Sequence, residues 1–226
     1  MVTREDAHVL ETIPFSVDRD AFRDEVRMDA YPELADELER YLDRAEEAAR
    51  PRGMVRVAYV GERDGDRVEL GGERFHSEIL VDNLQGINRV FTYAATCGRE
   101  LYELDRSDLD PFASFWHDTL KTQAVHTAST FVCDYVRSEF GVDKVSSMNP
   151  GSGDVDVWPI QQQEPLFRVL EGADREIGIE LTDSNLMIPD KSVSGIFFAS
   201  DRAYVNCEAC TRKICPDRRA PYRPRR

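Results

Sequence analysis

The sequence predicts an α+β domain built on a mostly antiparallel sheet. Three observations lead there. Strand-like runs are short and unevenly spaced, helical patterns come first and between them, and no strand, glycine-rich turn and helix follow one another as in a dinucleotide-binding unit. A doubly wound parallel sheet would need that alternation.

Taken in order, Pro14–Val17 reads as a short extended segment, and Asp18 as the N-cap of a helix. From Pro32 to Ala49, Leu34, Leu38, Tyr41, Leu42 and Ala45 recur at helical spacing among acidic and basic residues, and Pro51 and Gly53 end the pattern. Met54–Val60 alternates as a strand. Arg63-Asp-Gly-Asp66 is a turn, and Val68–Leu70 continues as a hairpin. Arg89–Thr96 is a second strong strand, broken by Cys97-Gly98, with a short helix expected next. The longest helical pattern runs from Phe112 to Phe140, with Leu120, Ala124, Ala128, Phe131, Val132, Tyr135 and Val136 on an apolar face, and Gly141 stops it. Ser146–Val157 reads as a glycine-containing loop, Gln163–Leu170 as a short helix and Ile177–Leu181 as a strand. Asn185–Ser192 reads as a loop, Ser194–Ala199 as a strand and Ala203–Asn206 as a further edge. The Arg/Pro-rich tail is expected to be disordered. The division expected is a main domain over 1–206 and a cysteine motif with a basic tail over 207–226.

The formal net charge is −14, which disfavours nucleic acid and anionic membrane as partners. The charge is uneven: the last fifteen residues carry +6 and the rest −20. The N-terminus does not read as a signal peptide, and no apolar run approaches the roughly 20 residues of a membrane span. The expected location is therefore cytoplasmic. In that compartment the five cysteines stay reduced, so clustered ones favour metal over disulfide.

Two segments suggest a ligand site. In Asn149-Pro150-Gly151-Ser152-Gly153-Asp154, glycines flank a serine, so backbone N–H groups can approach a ligand closely; an ordinary surface turn has the same composition. In Leu181–Gly195 a polar loop returns through Ser192, Ser194 and Gly195 into the apolar strand Ile196–Phe198. Small hydroxyl residues there can line a groove or satisfy their own backbone. No nucleophile elbow, zinc-protease helix motif or carboxylate dyad is present.

Together these segments resemble the activation (reactivation) domain of cobalamin-dependent methionine synthase and its stand-alone relatives. The wording is carried by Pro150-Gly151-Ser152-Gly153, Leu181-Thr-Asp-Ser184, Met187, Pro189, Ser192-Val-Ser-Gly195 and Ala203-Tyr204. Ala94-Ala-Thr-Cys-Gly98 adds to it, and the Ser192–Gly195 phrase is its most specific part. The resemblance implies a curved domain with a twisted antiparallel sheet flanked by helices. It implies that S-adenosylmethionine binds in a shallow groove and that its methyl group is presented to cobalamin held by a corrinoid protein or the methionine synthase core. An external electron donor would supply the reduction. Asn149–Gly153, Ser192, Ser194, Gly195 and Tyr204 are the expected binding residues. Ser147 and Ser152 stand where the family has an arginine and a tyrosine, Asp183 stands for its glutamate, and His126 aligns loosely with a second glutamate. These departures motivate a second reading, a non-catalytic module that binds a corrinoid protein.

The third segment is Cys207-Glu-Ala-Cys210-Thr-Arg-Lys-Ile-Cys215-Pro216. Its C-x2-C-x4-C-P spacing predicts a metal site, an iron–sulfur cluster or zinc, with Cys207, Cys210 and Cys215 as ligands and one position open. Cys97, Cys133 and His126 are candidates for that position. A redox protein on the same scaffold is the third reading. His126 and Cys133, seven apart on one helix face, equally suit ordinary packing roles.

Overall fold

The computed structural model describes residues 3–154, 157–201, 204–215, 218 and 220–223. The elements are β1 (Arg4–Leu10), α1 (Arg19–Glu25), α2 (Ala35–Ala48), β2 (Arg52–Asp64), β3 (Arg67–Leu70), β4 (Glu73–His76), α3 (Glu78–Asn83), β5 (Arg89–Thr96), α4 (Arg99–Tyr102), α5 (Ala113–Phe140), β6 (Val145–Met148), α6 (Gln163–Val169), α7 (Ala173–Glu176), β7 (Glu180–Leu181), β8 (Met187–Ile188) and β9 (Ser192–Ala199). Seven strands form one sheet in the order β4-β3-β2-β5-β9-β6, with β1 paired to β2 beside β3; β7 and β8 make a separate hairpin. Every pairing among the described residues is antiparallel. The α+β class with an antiparallel sheet is thus as the sequence predicts.

The sheet is buried on both faces, which explains why β5 reads as one continuous apolar run. Met54, Ala58, Val90, Ala94, Ile196 and Phe198 face a core closed by Trp158, Leu166 and Ile179. Val55, Val57, Phe91, Tyr93 and Phe197 face the other way, onto the second half of α5. There Ala124, Ala128, Val132 and Val136 recur every four residues along one buried stripe. Gly53 lets the helix come close: a Cβ at 53 would lie 2.2 Å from Val132 Cγ2. The first half of α5 instead enters a helical cluster with α1 and α2, where Phe22, Leu38, Tyr41, Leu42, Trp116 and Leu120 pack together. Serving two cores explains why this long helix lacks a single apolar face.

The terminators act as expected. Asp18 caps α1 through the Ala21 amide (3.0 Å), and Gly141 closes α5 in the left-handed conformation (φ 63°). Several expectations need correction. Ser146–Met148 is not loop but the edge strand β6, because Val145–Met148 finds an open ladder on β9. β7 is shorter than Ile177–Leu181, since Gly178 takes φ 72°. The Asn185–Ser192 loop contains β8. Phe131 is 39% exposed rather than on the buried stripe of α5. Of the edge expected at Ala203–Asn206, Ala203 lies outside the described residues, and Tyr204 and Val205 lead instead into a 3-10 turn at Asn206–Glu208.

Candidate functional site

β9 is the element on which the two suspected segments meet. Its pairing with β6 ends at Met148 opposite Ile196, so Asn149 passes beside Gly195. There is no room for a side chain there: a Cβ at 195 would lie 2.3 Å from Met148 O and 2.5 Å from Asn149 Nδ2. The buried Asn149 amide donates to Tyr93 Oη (2.7 Å) and to the Ser194 carbonyl (2.8 Å). Tyr93 in turn stacks on Phe197, with ring centroids 3.9 Å apart. The chain then turns through Gly151 (φ 76°), whose amide donates to the Trp158 carbonyl (2.8 Å). Ile160 sits directly behind Gly151 and leads into α6. On the residue before Gly195 in β9, Ser194 Oγ donates to Gln163 Oε1 (2.6 Å), tying the strand to the first residue of α6.

The second wall is the β7–β8 hairpin. Thr182 organises its turn: its amide donates to the Leu186 carbonyl (2.8 Å) and its hydroxyl accepts from the Leu186 amide (3.1 Å). Asn185 takes a left-handed φ of 62°, which asparagine tolerates well. β8 continues through Pro189, Asp190 and Lys191 into β9, where Ser192 Oγ donates to the Pro189 carbonyl (2.8 Å) and lies 3.0 Å from the Thr96 hydroxyl, from which it can accept.

Between these walls lies an open groove of about 450 Å³. Pro150, Gly151, Ile160 and Gln163 line one side, and Thr182, Ser184–Ile188 and Asp190 line the other. Its size is within the range of small-molecule sites. Its surface is mixed: apolar Ile160, Leu186, Met187 and Ile188 alternate with Thr182, Ser184, Asn185 and Gln163. Among the described residues that line the groove, Asp190 is the charged one.

The sequence-suspected residues therefore divide. Pro150 and Gly151 line the groove. Asn149, Ser194 and Gly195 are buried or close-packed behind its wall, and Ser192 is bonded to its neighbours in the sheet. Ser152 and Gly153 turn toward the C-terminal segment: Asn206 Nδ2 donates to the carbonyls of Asn149 and Ser152 (both 3.1 Å), and Cys210 Cβ lies 3.5 Å from where a Gly153 Cβ would stand. Tyr204 packs into the sheet core, with its amide donating to Ser146 Oγ (2.9 Å). Ser147 is half-buried in β6 opposite Phe197, and Asp183 is exposed in the hairpin turn. Gln163, Lys121 and Asp190 escaped the reading of the sequence. Lys121 carried a usable signal, a lysine directly after Leu120 on a helix that is buried on both sides at that point.

Asn206, Cys210 and Thr211 pack on the Asn149–Asp154 loop. Asp154 accepts from the Thr211 amide (2.7 Å) and from Cys210 Sγ (3.6 Å), and these bonds hold its carboxyl below the usual range. Arg218 donates to the carbonyls of Cys207 (3.0 Å) and Cys210 (3.2 Å), and the Arg223 amide to the Glu208 carbonyl (2.8 Å). These residues of the tail are ordered by contacts, where the sequence suggested disorder. Cys210 is buried and Cys207 and Cys215 are half-buried. Among the described residues, no group of three or more His, Cys, Asp and Glu side chains is placed to hold a metal ion. Pro216 lies outside them. The candidate fourth ligands are elsewhere. Cys97 is enclosed in the helical cluster, where burial pushes its thiol up to about 12; Cys133 packs with the α5 face of the sheet; His126 is exposed.

Residues 143–226 match the family described as vitamin B12 dependent methionine synthase, activation domain. A solved structure, the crystal structure of the MetH reactivation domain bound to AdoHcy, aligns with 90% of this chain and 82% of its own length, at a TM-score of 0.62 and 18% identity. The fold is that of the methionine synthase activation domain. The match over 143–226 takes in β6, both groove walls, β9 and the cysteine segment, while the activation-domain fold extends across nearly the whole chain. No curated protein sequence matches. No helix among the described residues is long and apolar enough to cross a membrane.

Proposed function

We propose that this chain is an accessory protein of corrinoid-dependent methyl transfer that binds S-adenosylmethionine in the groove between Gly151 and the β7–β8 hairpin. The observation that carries the reading is that groove, formed where the two family-like segments meet on the fold of a reactivation domain that binds AdoHcy. AdoHcy is the demethylated form of S-adenosylmethionine, so a site for one has the shape for the other.

The groove supplies position rather than acid–base chemistry. Pro150 and Gly151 bring backbone against the ligand. Asn149, Ser194 and Gly195 hold that backbone in place from behind, and Ile188 and Met187 cover its apolar parts. The sulfonium methyl then faces solvent, where a corrinoid protein or methionine synthase core docks. The sulfur–methyl bond breaks with its electron pair remaining on sulfur, and the methyl passes to cobalt that an external electron donor has reduced. Serine at 147 and 152 removes a charge clamp and an aromatic face, so affinity falls below that of a site with both.

Isothermal titration of the chain with S-adenosylmethionine and AdoHcy tests the reading. Saturable binding of both is expected. Absence of heat with either at high protein concentration would leave the fold without this ligand and favour the module that binds a corrinoid protein alone.

A further inference from the structure

We infer that Asp190 is the specificity group of the groove, recognising the ammonium of an amino-acid-bearing nucleoside. The inference rests on the reading above for the ligand, but it concerns a contact made by this chain's own ion pair.

Lys121 projects from α5 beneath the groove, with its side chain only 8% exposed. Its ammonium donates to both carboxylate oxygens of Asp190, at 2.8 and 3.0 Å, and lies 5.2 Å from the Tyr102 ring centre. The Lys191 amide donates to Oδ1 as well (2.9 Å). Asp118 stands 3.9 Å from the same ammonium and 3.0 Å from Lys191 Nζ, completing the charged surroundings. A buried ammonium is costly unless paired, so Asp190 is held in one orientation by the need to satisfy Lys121. These three hydrogen bonds come from two donors, the Lys121 ammonium and the Lys191 amide. The carboxylate side chain nevertheless stays half exposed, on the groove surface. A carboxylate has about four lone-pair sites, so acceptor capacity remains on the open side.

A group that fills it must donate hydrogen bonds and carry positive charge. The sulfonium carries charge but has no N–H or O–H, and a ribose diol donates without charge. The α-ammonium has both. Among the described residues that line the groove, Asp190 is the charged one, which leaves it to meet that group.

The test compares S-adenosylmethionine, AdoHcy and 5′-methylthioadenosine, which lacks the amino-acid portion, against the parent chain and Asp190→Asn. With the ammonium contact removed, the first two should weaken by about tenfold or more while 5′-methylthioadenosine is unchanged. The unchanged ligand also reports that the groove is intact. If Asp190→Asn misfolds because Lys121 is left unpaired, the double variant Lys121→Met/Asp190→Asn removes both charges and should give the same pattern. Equal weakening of all three ligands would overturn the inference in favour of ribose recognition. Loss confined to S-adenosylmethionine would overturn it in favour of the sulfonium, and unchanged binding throughout would overturn it outright. A parent chain that binds none of the three refutes the ligand reading itself, a result distinct from any of these.

Discussion

Replacing Gly195 with alanine tests the close approach on which the groove's first wall is built. The residue does not need a positive φ, so the effect is purely one of space. The added methyl would stand 2.3 Å from a backbone oxygen, that of Met148, and 2.5 Å from the Asn149 amide nitrogen. The first is backbone, and the second, the end of a side chain, is held by two buried hydrogen bonds. Relieving such a clash in a packed interior costs about 1–3 kcal/mol. The shift also breaks the two buried bonds of Asn149, to Tyr93 Oη and the Ser194 carbonyl, at about 1 kcal/mol each. The expected loss is therefore about 3–5 kcal/mol, which for a chain of this size lowers the melting temperature by roughly 10 °C. Urea unfolding followed by tryptophan fluorescence measures it, since Trp158 lies across the same turn. Gly61→Ala is the control, because the nearest atom there is the Glu69 carboxylate, 2.9 Å away on a side chain that can move. It should cost less than half as much. A Gly195→Ala chain within about 1 kcal/mol of the parent would refute the argument that this strand crossing fixes the loop.

Three further outcomes follow from buried groups. His117 is enclosed beside Tyr41, with Nδ1 3.1 Å from its hydroxyl, and burial pushes its pKa down to about 4, helped by Arg106 and Lys121. The unfolded chain then binds more protons than the folded one between about pH 6.5 and 4, so stability falls as pH drops through that window, by about 3 kcal/mol in all. Unfolding titrations of His117→Asn at pH 7 and pH 4.5 should show that slope flattened. Cys97 should resist thiol reagents at pH 8 in the native chain, because burial raises its thiol to about 12, whereas Cys207 and Cys215 label; mass spectrometry of the labelled peptides reads the difference. Asp154→Ala removes the acceptor for the Thr211 amide and should speed trypsin cleavage after Arg212 and Lys213 relative to cleavage elsewhere. An unchanged cleavage rate would show that Arg218 and Arg223 alone fasten the segment.

Much of the fold was legible because local signals agreed. The alternation of β2 and β5, the cap at Asp18 and the stop at Gly141 each have one cheap structural solution. β1, β4 and α3 were not seen. β1 carries Arg4, Glu5, Asp6 and His8 and is largely exposed, so its pairing with β2 is not written in its own composition. β6 was taken for loop because Ser146 and Ser147 mask a strand whose ladder exists only once β9 is beside it. The site was half legible for the same reason. Glycines and serines mark where backbones meet, and two of the marked residues do line the groove. The lining side chains Gln163, Ile160 and Asp190 carry no mark, since their role depends on which segment folds across them.

The Ser192–Gly195 phrase shows why a family wording can be specific without its residues touching a ligand. Along β9 the side chains alternate between faces, and each member meets a different constraint. Ser192 satisfies Thr96 and the carbonyl of Pro189 at the end of the second wall. Ser194, two residues on and on the same face, fixes Gln163 at the start of α6. Gly195 leaves the space that Asn149 fills. Three residues within four positions thus tie together both walls and the loop between them. A serine-to-alanine change at 194 removes the hydroxyl that donates to Gln163 Oε1, so it should loosen one wall; a methyl at 195 displaces the strand crossing itself. The phrase is thus constrained by the construction of the groove, through the contacts of Ser192, Ser194 and Gly195.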